Sequence, residues 1–170
     1  TSLRHIEAQI LRDRFGHTRV IGLRDCSVQR NNQKLLEESG STLLSEQLRS
    51  EVFACAAKIA DAVDYIGAGT VEFIYDVPSD AIYFMEMNTR LQVEHPITEM
   101  ATGVDIVAEQ IRVARGRQLS YTQDQIEFNG HAIECRINAE DPFNGFLPST
   151  GRITHSLLPT GPGVRVDTGV

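Results

Sequence analysis

The chain has 170 residues, a formal net charge of −7 and 41% hydrophobic residues, which is the composition of a globular protein with at least one substantial core. The acidic balance argues against nucleic acid or an anionic membrane as the main partner, and no apolar run reaches the length of a membrane span. The three cysteines, Cys26, Cys55 and Cys135, show no metal-binding spacing and fit a reducing compartment.

The first part of the chain predicts a β-hairpin followed by a polar loop. Residues 5–11 alternate as a strand does, and a second strand follows after a turn. His5, Glu7 and Gln9 share one face of the first strand, which we interpret as the polar face of a sheet. Residues 24–34 carry arginine, lysine and amide side chains without glycine. Such a loop either wraps an anionic ligand or is simply solvated.

Two helices are predicted from their caps and their apolar spacing. Ser45 is a good N-cap, with Glu46 in the first turn. The apolar residues of this helix recur on one face: Leu48, Val52, Cys55, Ile59 and Val63. Residues 105–115 predict a second helix, which follows a helical turn at residues 98–101 and ends at Gly116.

The middle of the chain predicts a hairpin with two opposed glutamates. Residues 70–75 have strand composition, and a second strand resumes after a turn. Because positions 72 and 86 are equidistant from Ser79, the hairpin places Glu72 opposite Glu86. Opposed like charges destabilise a strand pair, so a divalent cation between them, with Asn88 as a further ligand, is one interpretation. The other is a bulge that shifts the register and leaves two unrelated solvated glutamates.

The segment from Phe84 to Pro96 continues this second strand with an unusual set of polar residues. In an extended backbone, one face carries only carboxylate, carboxamide and guanidinium groups: Glu86, Asn88, Arg90, Gln92 and Glu94. Such groups ligate a hard cation or bind an oxyanion. A surface strand also has a polar face, so the alternation alone does not decide between binding and solvation.

The last part of the chain has a different pattern. Residues 119–124 predict a linker, and we place a domain boundary between residues 118 and 119. Beyond it the pattern consists of strands and turns, with strands predicted at residues 131–139, 153–158 and 164–167.

Several sequence blocks together resemble one family. Residues 86–96, Glu-Met-Asn-Thr-Arg-Leu-Gln-Val-Glu-His-Pro, are similar to the signature of the biotin carboxylases, which are ATP-grasp enzymes within biotin-dependent carboxylases. Further blocks follow the family order: Arg-His-Ile-Glu at 4–7, Arg-Asp-Cys-Ser-Val-Gln-Arg at 24–30, Gly-Thr-Val-Glu-Phe at 69–73 and Glu-Cys-Arg-Ile-Asn-Ala-Glu-Asp-Pro at 134–142. The likeness covers essentially the whole chain.

The resemblance implies an α+β fold with two parts. Residues 1–118 are expected to form the C-terminal half of an ATP-grasp domain, an antiparallel sheet with flanking helices. Residues 119–170 are expected to begin the β-rich C-terminal domain. Family members also have a separate N-terminal domain and a lid with phosphate-binding lysines, neither of which matches this chain, so we expect little activity from the chain alone.

The resemblance also implies a role for individual residues. ATP is expected to contact His5, Gln29, Asn32, Glu72, Ile74 and Glu86. Mg²⁺ or Mn²⁺ is expected to bind Glu72, Glu86 and Asn88. Bicarbonate is expected to bind Lys34, Arg90, Gln92, Glu94 and the backbone of Val93, while Arg136 faces biotin. The catalytic residues are expected to be Lys34, Arg90, Glu94 and Arg136.

The family reaction gives these residues their chemistry. Arg90 offers donors suited to a planar oxyanion, and Glu94 acts as general base, so that carbonate attacks the γ-phosphate of ATP and gives carboxyphosphate. Its breakdown releases CO₂ and phosphate, the phosphate deprotonates biotin, and Arg136 stabilises the biotin enolate on the way to carboxybiotin. Because an anion held by the Val93 backbone suits a loop, whose amides are not used by a strand ladder, the strand is expected to end near Asn88.

Partners and location follow from the same resemblance. The expected partners are a biotin carboxyl carrier protein that presents biotin, a carboxyltransferase, and a second copy in a homodimer. The expected location is the cytoplasm, with the mitochondrial matrix as the alternative. The final acyl acceptor is chosen by the carboxyltransferase and is not written in this chain.

Two departures and two alternatives accompany the resemblance. Leu23 stands where the family usually has glutamate and Asn31 where it usually has arginine, which bears on loop geometry and ATP affinity. Another ATP-grasp ligase, such as a carbamoyl-phosphate synthetase, would share the acidic strand residues but neither the 92–96 continuation nor the Arg136 block. A non-catalytic module for assembly or regulation is the second alternative, and the intact acidic and basic residues argue against it.

Overall fold

The computed structural model describes residues 2–169, which form two compact units that divide between Arg136 and Ile137. The elements of the first unit, in chain order, are β1 (Leu3–Arg12), β2 (Thr18–Arg30), β3 (Gln33–Ser39), α1 (Glu46–Ala62), β4 (Gly67–Asp76), β5 (Ala81–Asn88), α2 (His95–Thr102), α3 (Ile106–Ala114), a short 3-10 helix (Gln123–Gln125) and β6 (Ile133–Cys135). The second unit contains β7 (Glu140–Asp141) and β8 (Leu147–Pro148), which pair with each other. No helix among residues 2–169 is long and apolar enough to cross a membrane.

An antiparallel sheet with the order β5-β4-β1-β2-β3-β6 organises the first unit. The predicted α+β architecture of an antiparallel sheet with flanking helices is therefore confirmed. The central strand β1 sorts its residues by face, since successive side chains of a strand point to opposite sides. Ile6, Ala8 and Ile10 are buried in the main core with residues of α1, including Val52. The opposite face carries the polar residues of β1.

Helix α1 begins where its cap predicts. The Ser45 hydroxyl accepts a hydrogen bond from the Leu48 amide at 3.2 Å. Its buried face consists of Leu48, Val52, Ala56 and Ala60. Cys55 and Ile59 of the predicted apolar face are half-buried and also pack against this core, whereas Val63 was wrongly included, because it lies past the helix end and is exposed.

The prediction of a polar loop at residues 24–34 was wrong, because most of these residues belong to strands. Strand β2 runs through Arg30 and returns as β3 after a two-residue turn. The two turn residues, Asn31 and Asn32, have φ angles of 51° and 62°. Positive φ at both central positions is the geometry of a type I′ hairpin turn, which asparagine accepts readily. The polar side chains of this segment therefore stand on strands.

The hairpin of β4 and β5 places Glu72 opposite Glu86, as predicted. The turn pairs Asp76 with Ala81 and Phe73 with Phe84, so a regular ladder would set Met85 opposite Glu72. An irregularity between Glu72 and Phe73 shifts the register, so that Glu86 instead of Met85 lies opposite Glu72. A bulge is thus present, but it creates the glutamate pair. Bulges commonly re-aim side chains next to functional sites.

The C-terminal strand predictions were mostly wrong. Within residues 131–139 only β6 forms, and residues 153–158 and 164–167 contain no strand. A strand needs a neighbouring strand to form its ladder, and neither segment pairs with a strand among residues 2–169. The first unit also extends beyond residue 118, since Leu119 and Ile126 pack on its second apolar cluster. The domain boundary at residue 118 remains a prediction.

Candidate active site

A row of charged residues crosses four neighbouring strands on the polar face of the sheet. Glu7 on β1 is the register partner of Glu72 on β4 and of Arg24 on β2. Glu72 is in turn opposite Glu86 on β5. Register partners lie side by side on one face of a sheet. The strand pairing therefore brings three carboxylates and one guanidinium together from positions far apart in the sequence.

Lys34 on β3 reaches over this row and joins three carboxylates. Its Nζ donates to Glu7 at 2.6 Å, to Glu94 at 2.7 Å and to Glu72 at 3.1 Å. Burial alone would lower the Lys34 pKa, but the negative charges of Glu7 and Glu94 outweigh it and raise the pKa above its usual range. Lys34 is therefore a permanently charged ammonium at the centre of the site.

Glu72 is held as a carboxylate by four side chains. It accepts hydrogen bonds from His5 at 2.6 Å, Gln92 at 2.8 Å, Asn88 at 3.0 Å and Lys34 at 3.1 Å. Burial would raise its pKa, but the His5 hydrogen bond, the charge of Lys34 and the Gln92 amide lower the pKa to about 2. Gln29 donates to the other ring nitrogen of His5 at 2.8 Å, which leaves Nε2 to donate to Glu72.

Arg24 was missed as a site residue, because the sequence pattern placed it in a polar loop. Its side chain is fully buried and donates to five partners: Glu7, Gln9 at 2.7 Å, Thr98 at 2.9 Å, and Thr70 and Gln92 at 3.2 Å. These partners lie on β1, β4, α2 and the segment before α2. Arg24 therefore fixes Gln92 and Glu7 relative to the sheet. The polar face of β1, interpreted as an ordinary sheet face, is the buried floor of the site.

The three residues that are expected to bind a metal, Glu72, Glu86 and Asn88, lie side by side. Asn88 Nδ2 donates to Glu72 at 3.0 Å and to Glu86 at 3.1 Å. Rotation of this amide would turn its oxygen towards the same place, which would give three oxygen donors suited to Mg²⁺. Glu86 is exposed and Glu72 is buried, so the set opens to solvent on one side. The residues present fit a hard divalent cation.

Strand β5 stops at Asn88, as predicted, and residues 90–94, which are expected to bind bicarbonate, follow it. Glu94 accepts from Lys34 on one oxygen and from Arg136 on the other, at 2.7 and 2.9 Å. Burial would raise the Glu94 pKa, but the charge and hydrogen bond of Lys34, and the charge of Arg24, lower it. Lys34, Gln92, Glu94 and Arg136 are thus brought into one connected group.

Four predicted site residues lie outside the hydrogen-bonded network around Glu72 and Lys34. Arg90 is exposed, and its guanidinium donates to the Leu91 carbonyl at 3.3 Å. Asn32 lies exposed at the β2–β3 turn, and the Val93 side chain is exposed. Ile74 is half-buried as the register partner of His5. Their assigned roles towards ATP and bicarbonate remain predictions.

Arg136 follows β6 and is held from two sides. Its Nε donates to Glu37 on β3 at 2.6 Å, and its Nη2 donates to Glu94 at 2.9 Å. Glu37 is fully buried, and the Arg136 side chain retains 19% exposure. The guanidinium is therefore oriented by two carboxylates while part of it still faces solvent. A charge-assisted pair of this kind fixes both position and direction of the donors.

Comparison with known proteins matches both parts of the chain. The family described as the carbamoyl-phosphate synthase L chain, ATP-binding domain, matches residues 1–122, and the biotin carboxylase C-terminal domain matches residues 134–170. The chain is 58% identical to the biotin carboxylase of Nostoc sp. over 167 residues, and 58% identical to biotin carboxylase 1 of Bacillus subtilis over 165 residues. These matches cover 98% and 97% of the chain, but only 37% of each relative.

A solved structure gives the same result for the fold. The biotin carboxylase domain of Hydrogenobacter thermophilus 2-oxoglutarate carboxylase, a dimer in complex with MgADP and bicarbonate, has a TM-score of 0.89 and 52% identity to this chain. The match covers 94% of this chain and 35% of that one. The match of residues 134–170 to the biotin carboxylase C-terminal domain distinguishes the chain from other ATP-grasp ligases. The chain therefore belongs to the family of the carbamoyl-phosphate synthase L chain ATP-binding domain, within the group formed by the biotin carboxylases.

Proposed function

We propose that this chain supplies the metal, bicarbonate and biotin sides of a biotin carboxylase, which carboxylates carrier-bound biotin with ATP and bicarbonate through carboxyphosphate. One observation carries the proposal. An unbroken series of polar contacts runs from Asn88 and Glu72 through Lys34 to Glu94 and Arg136. Metal–nucleotide binding, bicarbonate activation and biotin carboxylation need neighbouring sites. This series of contacts supports such an arrangement.

The nucleotide end is assigned to the residues around Glu72. A bound Mg²⁺, held by Glu72, Glu86 and Asn88, would neutralise charge on the phosphate oxygens. His5 fixes the Glu72 carboxylate, and Gln29 fixes the His5 ring. The Hydrogenobacter thermophilus domain is in complex with MgADP, which supports a nucleotide and metal site in this chain.

The bicarbonate step is assigned to Glu94 with its neighbouring cations. A lowered pKa keeps Glu94 ionised, so it can accept a proton from bicarbonate. The same lowered pKa makes this proton transfer unfavourable in free energy. Lys34 and Arg136, each in contact with Glu94, lower that cost because they stabilise the carbonate dianion that forms. Arg90, exposed at the edge of the site, is free to turn towards the anion and add a planar pair of donors.

The biotin step is assigned to Arg136. Its guanidinium is oriented by Glu37 and Glu94 and is still partly exposed, so it can stabilise the enolate oxygen of biotin without first having to become ordered. The proposed partners are a biotin carboxyl carrier protein and a carboxyltransferase. The dimeric Hydrogenobacter thermophilus domain supports a homodimer. We propose a cytoplasmic location, and the relatives include bacterial and chloroplastic proteins.

The test is a chimera in which this chain replaces the matching 165 residues of Bacillus subtilis biotin carboxylase 1. We expect ATP hydrolysis that depends on bicarbonate and biotin. Arg136→Gln should abolish carboxybiotin formation and leave MgADP binding intact, and Arg115→Gln, at an exposed position after α3, is the matched control. A folded chimera that binds MgADP without biotin-dependent turnover would overturn the proposal in favour of a non-catalytic module.

A further inference from the structure

Glu37, which orients Arg136, lies beside a second carboxylate, Glu134, that has no role in the function proposed above. Glu37 on β3 and Glu134 on β6 are register partners in the antiparallel sheet. Their side chains therefore lie side by side on one face, with β-carbons about 5 Å apart. Like charges in that arrangement repel each other, and in a buried site the repulsion is weakly screened.

The hydrogen bonds of the two carboxylates are incomplete. Glu37 is fully buried, and its Oε1 accepts from the Nε of Arg136. Within residues 2–169, the buried Oε2 atoms of Glu37 and Glu134 have no hydrogen-bond donor. A buried carboxylate oxygen without a donor costs free energy. One proton would remove both defects, since a protonated carboxyl group donates to a neighbouring carboxylate.

Burial and the mutual repulsion of the two carboxylates favour that proton. The charged groups around the pair are balanced in number: Glu7 and Glu94 favour the proton, whereas Arg24 and Arg136 oppose it. From α2, which packs on β3 and β6, the titratable residues are engaged elsewhere: His95 at the Gln92 carbonyl and Glu99 at the Ile106 amide. Burial, followed by the charges of Glu37 and Glu94, raises the pKa of Glu134 to about 7, and burial also raises that of Glu37.

We propose that Glu37 and Glu134 share one proton, and that this protonated pair positions the guanidinium of Arg136. Glu37 holds the Nε of Arg136, and Glu134 supplies the proton that satisfies the second oxygen of Glu37. The pair then carries one negative charge, which Arg136 balances. Glu37 and Glu134 act through Arg136 and are positioning residues. The positioning part of the inference rests on the proposed function, whereas the shared proton does not.

The shared proton can be measured on the chain itself by infrared spectroscopy. Between about pH 5.5 and 8.5, ordinary aspartates and glutamates are ionised, so the absorption of a protonated carboxyl group isolates this pair. We expect the band in the wild-type chain to disappear as the pH rises through about 7. Glu134→Gln and Glu37→Gln should each remove it, and Glu38→Gln should keep it. No band in the wild-type chain, or a band that survives both changes, would overturn the proposal.

The positioning role is measured in the Bacillus subtilis chimera. Glu37→Gln should lower kcat for biotin carboxylation about 10- to 100-fold, with the KM for ATP unchanged, because Arg136 loses its orienting anion. Glu134→Gln should stay close to wild type, since its amide replaces the donated proton. Equal kcat values for Glu37→Gln and wild type would overturn the positioning role. If the unaltered chimera fails to carboxylate biotin, the proposed function fails, and the infrared band still decides whether the proton is shared.

Discussion

Glu72 and Glu86 are register partners on β4 and β5, and both carboxylates accept a hydrogen bond from the same atom, Nδ2 of Asn88. The bulge at Met85 is what brings them together, because the regular ladder before it would leave Glu72 opposite an apolar residue. A sheet that bulges to oppose two like charges gives up stability at that point. Such a local conflict is expected at a functional site rather than in a structural strand.

Glu86→Gln is therefore expected to have opposite effects on stability and on binding. Without metal, removal of the like charge should raise the free energy of unfolding by about 0.5 kcal/mol. Loss of one carboxylate ligand should lower the affinity for Mg²⁺–ADP at least about tenfold. Urea unfolding and calorimetric titration of the chain measure the two effects. Glu127→Gln, at an exposed position, is the control, and an unchanged affinity for Mg²⁺–ADP would remove Glu86 from the metal site.

The chain has two lysines, Lys34 and Lys58. Replacement of each by methionine gives a matched pair of variants. Lys34→Met leaves three buried carboxylates without their shared cation, and we expect a loss of about 3–5 kcal/mol in the free energy of unfolding at neutral pH. Lys58→Met, at an exposed position on α1, should change it by less than about 0.5 kcal/mol.

The pH dependence of the Lys34→Met effect has a definite sign. Without the ammonium, burial should raise the pKa values of Glu72 and Glu94 above their unfolded values, so in this variant the two carboxylates destabilise the fold once they ionise. The difference between Lys34→Met and wild type should therefore shrink as the pH falls below about 4.5. A difference that is the same at pH 4 and pH 7, measured by urea unfolding, would contradict the central electrostatic role of Lys34.

Much of the site was predictable where the signal is local. The Ser45 cap, the end of β5 at Asn88 and the opposition of Glu72 to Glu86 all depend on nearby residues. Arg24 was not predictable in the same way, because its burial depends on partners such as Thr98, 74 residues away. A polar segment with no apolar alternation is typical of a loop. The pairing of its charges becomes visible only in the folded structure.

The Asn31–Asn32 turn allows one predicted ATP contact to be tested without disturbing the fold. Glycine accepts positive φ without steric cost, so Asn32→Gly should leave the free energy of unfolding unchanged or raise it by a few tenths of a kcal/mol. If the Asn32 side chain contacts ATP, the same change should weaken ADP binding about two- to tenfold. Asn31→Gly, at the other turn position, is the control for backbone effects. Equal ADP affinities for both variants would show that Asn32 serves the turn alone.

The carboxylate of Asp13 holds the turn between β1 and β2 together, so its replacement should lower the stability of the fold. Its carboxylate is fully buried and accepts four hydrogen bonds: from the Phe15 and His17 amides, the His17 ring and the Leu119 amide, at 2.9 to 3.1 Å. Asp13→Asn replaces one acceptor oxygen by an amide group that cannot accept. We expect the free energy of unfolding to fall by about 2–3 kcal/mol at neutral pH.

The Asp13 carboxylate also predicts how that cost changes with pH. Burial would raise its pKa, but the hydrogen bonds from Leu119 and His17 lower it below the usual 3.8. A lowered folded-state pKa gives stability that is fully present above about pH 4 and is lost as the pH falls further, so the cost of Asp13→Asn should diminish in acid. Hydrogen exchange at the Leu119 amide locates the effect: it should accelerate in the variant, because this bond ties the segment after α3 to the first turn. Unchanged exchange there, or an equal cost at pH 3 and pH 7, would mean that the carboxylate does not hold that segment.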